Sequence, residues 1–248
     1  MWLTGRYYLR RFEMRYCFDL DETICATPSS RNYAEAIPYY KMIDKINALF
    51  EDGHEITIFT ARGGTSGINY HELNVSQLSK WGVKYHKLID SGKPGYDLLI
   101  DDKAIASSVW RESVGIKLIG LVASAFDLLH AGHCLYLMEA KSVCDYLIAA
   151  LHDDPSVERT YKNKPVQSLA ERRIQLESVK YVDEVIVYNT EEELSAICKK
   201  ICPDVRILGS DYTGKLVTGS EYCKTIYYHH RNHDYSSTEL RSRIYDAR

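Results

Sequence analysis

The chain predicts an α/β protein built as two parallel-sheet domains in tandem. Three observations predict it. Short β-branched or apolar runs alternate with segments of helical apolar spacing, the alternation passes through two cycles with a break near 105–116, and in each cycle a polar turn rich in reactive side chains follows directly on a strand. At 248 residues the chain is long enough for two domains of ordinary size. A hydrophobic fraction of 45% and a net charge of -3 are those of a soluble globular protein and offer no global basic field for nucleic acid or an acidic membrane. No run approaches the ~18 consecutive apolar residues of a membrane span.

In order, Tyr16-Cys17-Phe18 predicts the first strand, and 37–50 a helix stopped by Gly53. Residues 55–59 predict a β-branched strand, 70–81 a helix, 83–89 a strand and 96–100 a buried strand ending at Asp101 and Asp102. The second cycle predicts strands at 116–123, 146–151, 184–188, 205–208 and 225–229, with helices at 132–142, 168–180, 191–201 and from 237 onward. Residues 1–13 precede the first strand as an extension expected to be poorly ordered, with domains at 14–113 and 114–248. Met1 to Arg15 carries four arginines and no apolar signal core, so a cytoplasmic location is expected. Seven scattered cysteines suit reduced thiols. Cys198 and Cys202 lie one helical turn apart, but zinc would need two further ligands, and buried thiols are the expected reading.

Asp19-Leu20-Asp21-Glu22-Thr23 follows the first strand, placing two acids at the C-terminal end of a parallel sheet, where open α/β folds bind ligands. One acid can attack phosphorus while the other moves protons, and the charge density suits Mg²⁺. This segment resembles the first motif of the haloacid dehalogenase superfamily, and the later motifs follow in order: Thr60 in Thr60-Ala61-Arg62-Gly63, Lys93 before Pro94, and Asp101-Asp102. The resemblance implies Asp19 as nucleophile, Asp21 as general acid/base, Thr60 and Lys93 as phosphate-binding groups, and a Mg²⁺ cofactor held by Asp19, Asp21, Asp101 and Asp102, with Asp101 foremost of the last pair. The spans between motifs leave no room for a cap domain, so the expected site is open.

Phe126-Asp127-Leu128-Leu129-His130-Ala131-Gly132-His133 also follows a strand and opens a helix. Nucleotidyl transfer needs no protein nucleophile, only donors that stabilise charge on the α-phosphate, and Gly132 would let phosphate approach the backbone closely. The run is similar to the His-x-Gly-His motif of the nucleotidyltransferase superfamily, and over about 117–246 the chain resembles cytidylyltransferases of the glycerol-3-phosphate type. The resemblance implies nucleotide or substrate contacts from Phe126, Asp127, Lys162, Lys164, Arg172, Asp211, Arg231, Ser236, Ser237 and Thr238, with His130 and His133 catalytic. Ser236, Ser237 and Thr238 can also cap a helix and offer amides to phosphates. Ser124-Ala125 stands where the family has Gly-Thr, and Asp234-Tyr235 replaces Gly-Ile. Ser236 to Arg241 resembles the Ser-Ser-Thr-x-x-Arg ending of adenylyltransferases, and Gly209-Ser210-Asp211-Tyr212 resembles the heptose-type sugar-phosphate adenylyltransferases.

The expected fold is therefore two Rossmann-like domains, a capless haloacid dehalogenase-like one and a His-x-Gly-His nucleotidyltransferase-like one. The expected function is a bifunctional Mg²⁺-dependent phosphatase and CTP:phosphoalcohol cytidylyltransferase acting on a polyol phosphate, forming a homodimer as related transferases do. One alternative uses ATP and a sugar phosphate, with a sugar-bisphosphate phosphatase. A second is a nucleotide-binding regulator with an inactive phosphatase domain.

Overall fold

The computed structural model describes residues 14–93 and 103–247. The expected extension at 1–13, the strand at 96–100, Pro94 and the acids Asp101 and Asp102 lie outside the described residues. The chain divides into two compact units, one containing residues to 24 and 40–104, the other residues 25–39 and 105 onward.

In chain order, β1 (Arg15–Phe18) is followed by the two-residue strands β2 (Cys25–Ala26) and β3 (Ile37–Pro38), which pair antiparallel and belong to the second unit. The first unit resumes with α1 (Tyr40–Glu51), β4 (Glu55–Phe59), α2 (His71–Lys80) and β5 (Lys87–Ile89). Its described strands form one parallel sheet in the order β1-β4-β5, with Phe18 opposite Ile58 and Phe59 opposite Ile89. All three strands end on one edge, so Asp19, Thr60 and Asp90 emerge there together. Alternation in β4 buries Ile56 and Ile58, against which α1 and α2 contribute buried Met42, Ile43, Ile46 and Leu78.

The second unit contains α3 (Ser107–Ser113), β6 (Ile119–Ser124), α4 (Ala131–Ser142), β7 (Tyr146–His152), α5 (Leu169–Glu177), β8 (Glu184–Tyr188), α6 (Glu191–Ile201), β9 (Val205–Gly209), β10 (Thr225–His229) and α7 (Ser237–Asp246). Its parallel sheet has the order β10-β9-β6-β7-β8. Successive strands are therefore added outward from β6 on one side (β7, β8) and then from β9 on the other (β10), so the winding order reverses between β6 and β9, the switch point at which doubly wound folds open a crevice beyond the strand ends. Local chemistry sets the helix ends. Ser168 and Glu171 form a reciprocal capping box on α5, and Thr190 caps α6, whose first turn carries three glutamates and whose last turn carries Lys199 and Lys200, matching the helix dipole.

The division differs from a single cut at 113/114 because α3 and residues 25–39 are held by the second unit. Arg111 of α3 bonds both carboxylate oxygens of Asp145 at 2.8 and 3.2 Å, and Asp145 accepts the Leu118 amide at 2.9 Å at the entry to β6. Arg111 also lies over the Tyr39 ring at 5.9 Å, and His230 meets Glu35 at 3.2 Å.

Gly120 sits inside β6 because a Cβ there would lie 2.5 Å from the Cys144 sulfur and 3.2 Å from Ile207 Cδ1. Gly120→Ala is therefore expected to lower unfolding stability by about 1–3 kcal/mol through overpacking, measured by denaturant titration.

Candidate active sites

In the first unit, Asp19 and Asp21 follow β1 and Thr60 follows β4, and the structure brings them together with Lys93. The Lys93 ammonium, 6% exposed, pairs with Asp19 Oδ1 at 3.1 Å and donates to the Phe59 carbonyl, also at 3.1 Å. Asp19 accepts the Leu20 amide at 2.8 Å, and Thr60 is buried, its hydroxyl oxygen accepting the Arg62 amide at 3.2 Å. Thr60 and Lys93 line a cavity of about 400 Å³ that also meets Gly63, Gly64 and Asp90.

Arg62 is the residue whose role sequence reasoning missed here. Its buried guanidinium holds Asp21, with Nη2 to Oδ1 at 2.7 Å and Nε to Oδ2 at 3.0 Å, while Nη1 donates to Asn74 and Gln77 at 3.1 and 2.6 Å. Asp21 is thus engaged by a cation, which departs from the expectation of an acid facing a leaving group. The Thr-Ala-Arg-Gly run was the available signal, but nothing local says that the arginine reaches back to the first strand. Among the described residues no group of three His, Cys, Asp or Glu side chains is arranged to hold a metal ion.

In the second unit, the turn after β6 passes through two left-handed residues, Phe126 at φ 45° and Leu128 at φ 51°, with Asp127 between them. Asp127 Oδ1 accepts the amides of Val166 and Gln167, both at 3.0 Å, and Oδ2 takes Arg241 at 2.6 Å. Burial opposes its charge, but the two amides and Arg241 outweigh it and hold the carboxyl below the ordinary range. Asp127 therefore ties the 166–167 loop and α7 to the turn after β6, with both carboxylate oxygens engaged by these partners.

His130 caps α4, its Nδ1 accepting the Gly132 amide at 3.1 Å. The neutral ring then carries its proton on Nε2, 3.3 Å from Ser237 Oγ, which donates on to the Asp127 carbonyl at 3.2 Å. His133 stacks on His130 at 3.9 Å between centroids. Burial, then the neighbouring His130, pushes the His133 pKa down to about 3, and burial likewise lowers that of His130. A Cβ on Gly132 would lie 2.9 Å from His233 and 3.0 Å from the Tyr235 carbonyl, so this glycine admits the segment leading into α7 as well as any ligand. Ser236 caps α7 by accepting the Glu239 amide at 3.1 Å, and Thr238 is exposed in the first turn.

Arg172 departs from expectation. It is 2% exposed and donates to the carbonyls of Gln167, Ala125, His152 and Asp153 at 2.6–3.1 Å, so it anchors the ends of β6 and β7 and has little left to offer a nucleotide. Lys162 and Lys164 are exposed, and Arg231 faces Asp211 at 3.7 Å with both more than half exposed. These four stay accessible to a ligand.

The parallel sheet, its switch point and the paired histidines define a nucleotidyltransferase-type α/β domain. A cytidylyltransferase-like family model matches residues 121–243, from β6 into α7, and the C-terminal region is a cytidylyltransferase-like domain. The chain is similar to the bifunctional protein HldE of Campylobacter concisus (36% identical over 77% of this chain and 38% of that protein). It is also similar to the HldE proteins of Campylobacter fetus subsp. fetus (39% identical, 41% of this chain and 22% of that protein) and Wolinella succinogenes (40% identical, 47% and 24%). The chain thus spans less than two fifths of the length of these relatives. The lipopolysaccharide core biosynthesis protein from Thermoplasma volcanium GSS1 aligns with 53% of this chain and 88% of its own at 22% identity and a TM-score of 0.35. No helix among the described residues is long and apolar enough to cross a membrane.

His133 yields a pH prediction. The unfolded chain takes up the imidazole proton near pH 6.5 and the folded protein only near pH 3, so the unfolded state binds more protons between these values and stability falls as pH drops through that window. Denaturant midpoints at pH 7 and pH 5 are expected to differ less in His133→Asn than in the parent protein.

Proposed function

We propose that the second unit transfers a nucleotidyl group from ATP to a sugar 1-phosphate, releasing pyrophosphate. The observation that carries this reading is the relay from His130 Nε2 through Ser237 to the Asp127 carbonyl at the sheet's switch point, flanked by the start of α7 and by accessible Lys162, Lys164 and Arg231. The acceptor phosphate oxygen attacks the α-phosphorus, forming one P–O bond as the bond to pyrophosphate breaks. No protein nucleophile takes part. The α-phosphate would take the place of Ser237 as acceptor of the one His130 N–H, on Nε2, with neutral His133 donating beside it, and the α7 amides with Arg231 and the two lysines bind the departing pyrophosphate. ATP with a sugar phosphate is favoured over CTP with a polyol phosphate by the Ser236-Ser237-Thr238-Glu239-Leu240-Arg241 ending and by the likeness to the HldE proteins.

For the first unit a phosphomonoesterase reading is supported by the 3.1 Å approach of Lys93 to Asp19 beside buried Thr60. Asp19 would attack phosphorus and expel an alkoxide, and water would then release phosphate from the aspartyl intermediate. Asp21 can serve as acid and base once Arg62 loosens its fork. One carboxylate from Asp19 and the Asp21 carbonyl suit Mg²⁺, which keeps several waters and takes few protein ligands, with Asp101 and Asp102 as the further acids; bound there, it would neutralise phosphoryl charge. The two chemistries are compatible when the phosphatase removes a phosphate other than the one the transferase uses, such as one end of a sugar bisphosphate.

Phosphorus NMR of ATP or CTP with a panel of sugar and polyol phosphates tests both readings. Pyrophosphate is expected from ATP with a sugar 1-phosphate, with His130→Ala slowing it by roughly 10²–10³-fold. Turnover with CTP and a polyol phosphate alone would overturn the donor assignment, and no pyrophosphate from either nucleotide would overturn the transferase reading. Asp19→Asn is expected to abolish Mg²⁺-dependent release of orthophosphate from p-nitrophenyl phosphate while pyrophosphate formation continues; residual hydrolysis at the parent rate would remove Asp19 as nucleophile.

A further inference from the structure

The second unit has a cavity of about 590 Å³ at the C-terminal ends of β6, β7 and β9, and Arg206, the second residue of β9, lines it. Arg206 is 2% exposed. Its Nη1 donates to the Leu121 carbonyl at 3.0 Å, but its Nε is buried with no hydrogen-bond partner, and no carboxylate among the described residues pairs with it. Four cations line the cavity, Arg159, Lys162, Arg206 and Lys215, against two carboxylates, Glu191 and Asp211. Glu191 is paired within the cavity wall by Arg159 and the Thr218 hydroxyl and Asp211 faces Arg231, so neither carboxylate pairs with Arg206, and Lys162, Arg206 and Lys215 remain as the positive lining.

A guanidinium does not escape burial by losing its proton, and a buried ion left without a counter-charge costs several kcal/mol. Arg172, by contrast, spends its donors on four carbonyls. The missing counter-charge of Arg206 is therefore to be sought in a ligand. In the parallel register Arg206 pairs with Leu121, three residues before β6 ends at Ser124. At about 3.3 Å per residue, its Cα lies roughly 10 Å below the sheet edge beyond which His130 sits. An anion bound there is not the phosphate that reacts at the histidines.

We propose that this cavity receives the acceptor and that Arg206 binds an oxyanion on it remote from the reacting phosphate, so that the acceptor is a sugar phosphate with a second anionic group. The proposal rests on the transferase reading and narrows its substrate class. The second group is a carboxylate or a phosphate, either of which matches the guanidinium fork.

Calorimetric titration of the full chain, with and without a non-hydrolysable ATP analogue, tests it with glucose 1-phosphate, glucuronic acid 1-phosphate and glucose 1,6-bisphosphate. One or both doubly anionic ligands are expected to bind about tenfold tighter or more than glucose 1-phosphate, the stronger one identifying the group. Arg206→Met should bring all three to within about twofold of one another, leave ATP-analogue binding unchanged and keep or raise the Tm, since it removes an unpaired buried charge. Arg206→Lys, which keeps the charge without the fork, should retain part of the preference and decides the matter if the methionine variant does not fold. A parent protein that does not distinguish the three ligands, or a preference that survives both substitutions, overturns the proposal. Loss of the preference in a protein that binds no nucleotide would sink the transferase reading and leave the anion site standing.

Discussion

The second unit depends on one carboxylate, Asp127, held between two left-handed residues at the mouth of the switch point. Non-glycine residues in that conformation cost about 1–2 kcal/mol each, and three bonds to the ionised carboxylate, worth about 1.5–3 kcal/mol apiece, offset it. Those bonds draw in the 166–167 loop and α7. The backbone carbonyl of the same residue orients Ser237 and, through it, His130. A strained turn, a loop and two helix starts converge on this residue, so the geometry of the histidines is inherited from it.

Arginines do unlike work in this protein. Arg172 satisfies backbone carbonyls that would otherwise be orphaned at the ends of β6 and β7. Arg62 is a bidentate partner that reaches across the first sheet to Asp21 and is itself fixed by two buried amides. Arg206 has a single carbonyl partner in the described structure. The same side chain is thus a scaffold, a carboxylate clamp or a polarised wall, and the number of its donors already satisfied tells these apart.

Much of the fold was legible in the sequence. The helix at 191–201 and the strands at 55–59, 184–188 and 225–229 coincide with those observed, because each is a complete period of apolar residues closed by a cap, a turn or a charge. The strands β2 and β3 and helix α3 were not, since elements of two to seven residues are too short to show a period and exist through their partners in the second unit. For the candidate sites, the motifs pointed to Asp19 and Thr60 directly after strands of the first unit and to His130 and His133 at a helix start of the second, places that chain direction within each unit sets. They did not show the partners of Asp127, 39, 40 and 114 residues away, or the bond from Arg172 to the Ala125 carbonyl 47 residues back, because contacts at such separations leave no local mark.

The sequence by itself determined the alternation of strands and helices, the two clusters of reactive side chains and the chemistry each can perform, because periodicity and residue type are local properties. The tertiary structure alone decided which charges are neutralised and which are not. Pairing is a matter of distance across the sheet, and it assigns Asp21 to Arg62, Asp127 to Arg241 and no carboxylate among the described residues to Arg206.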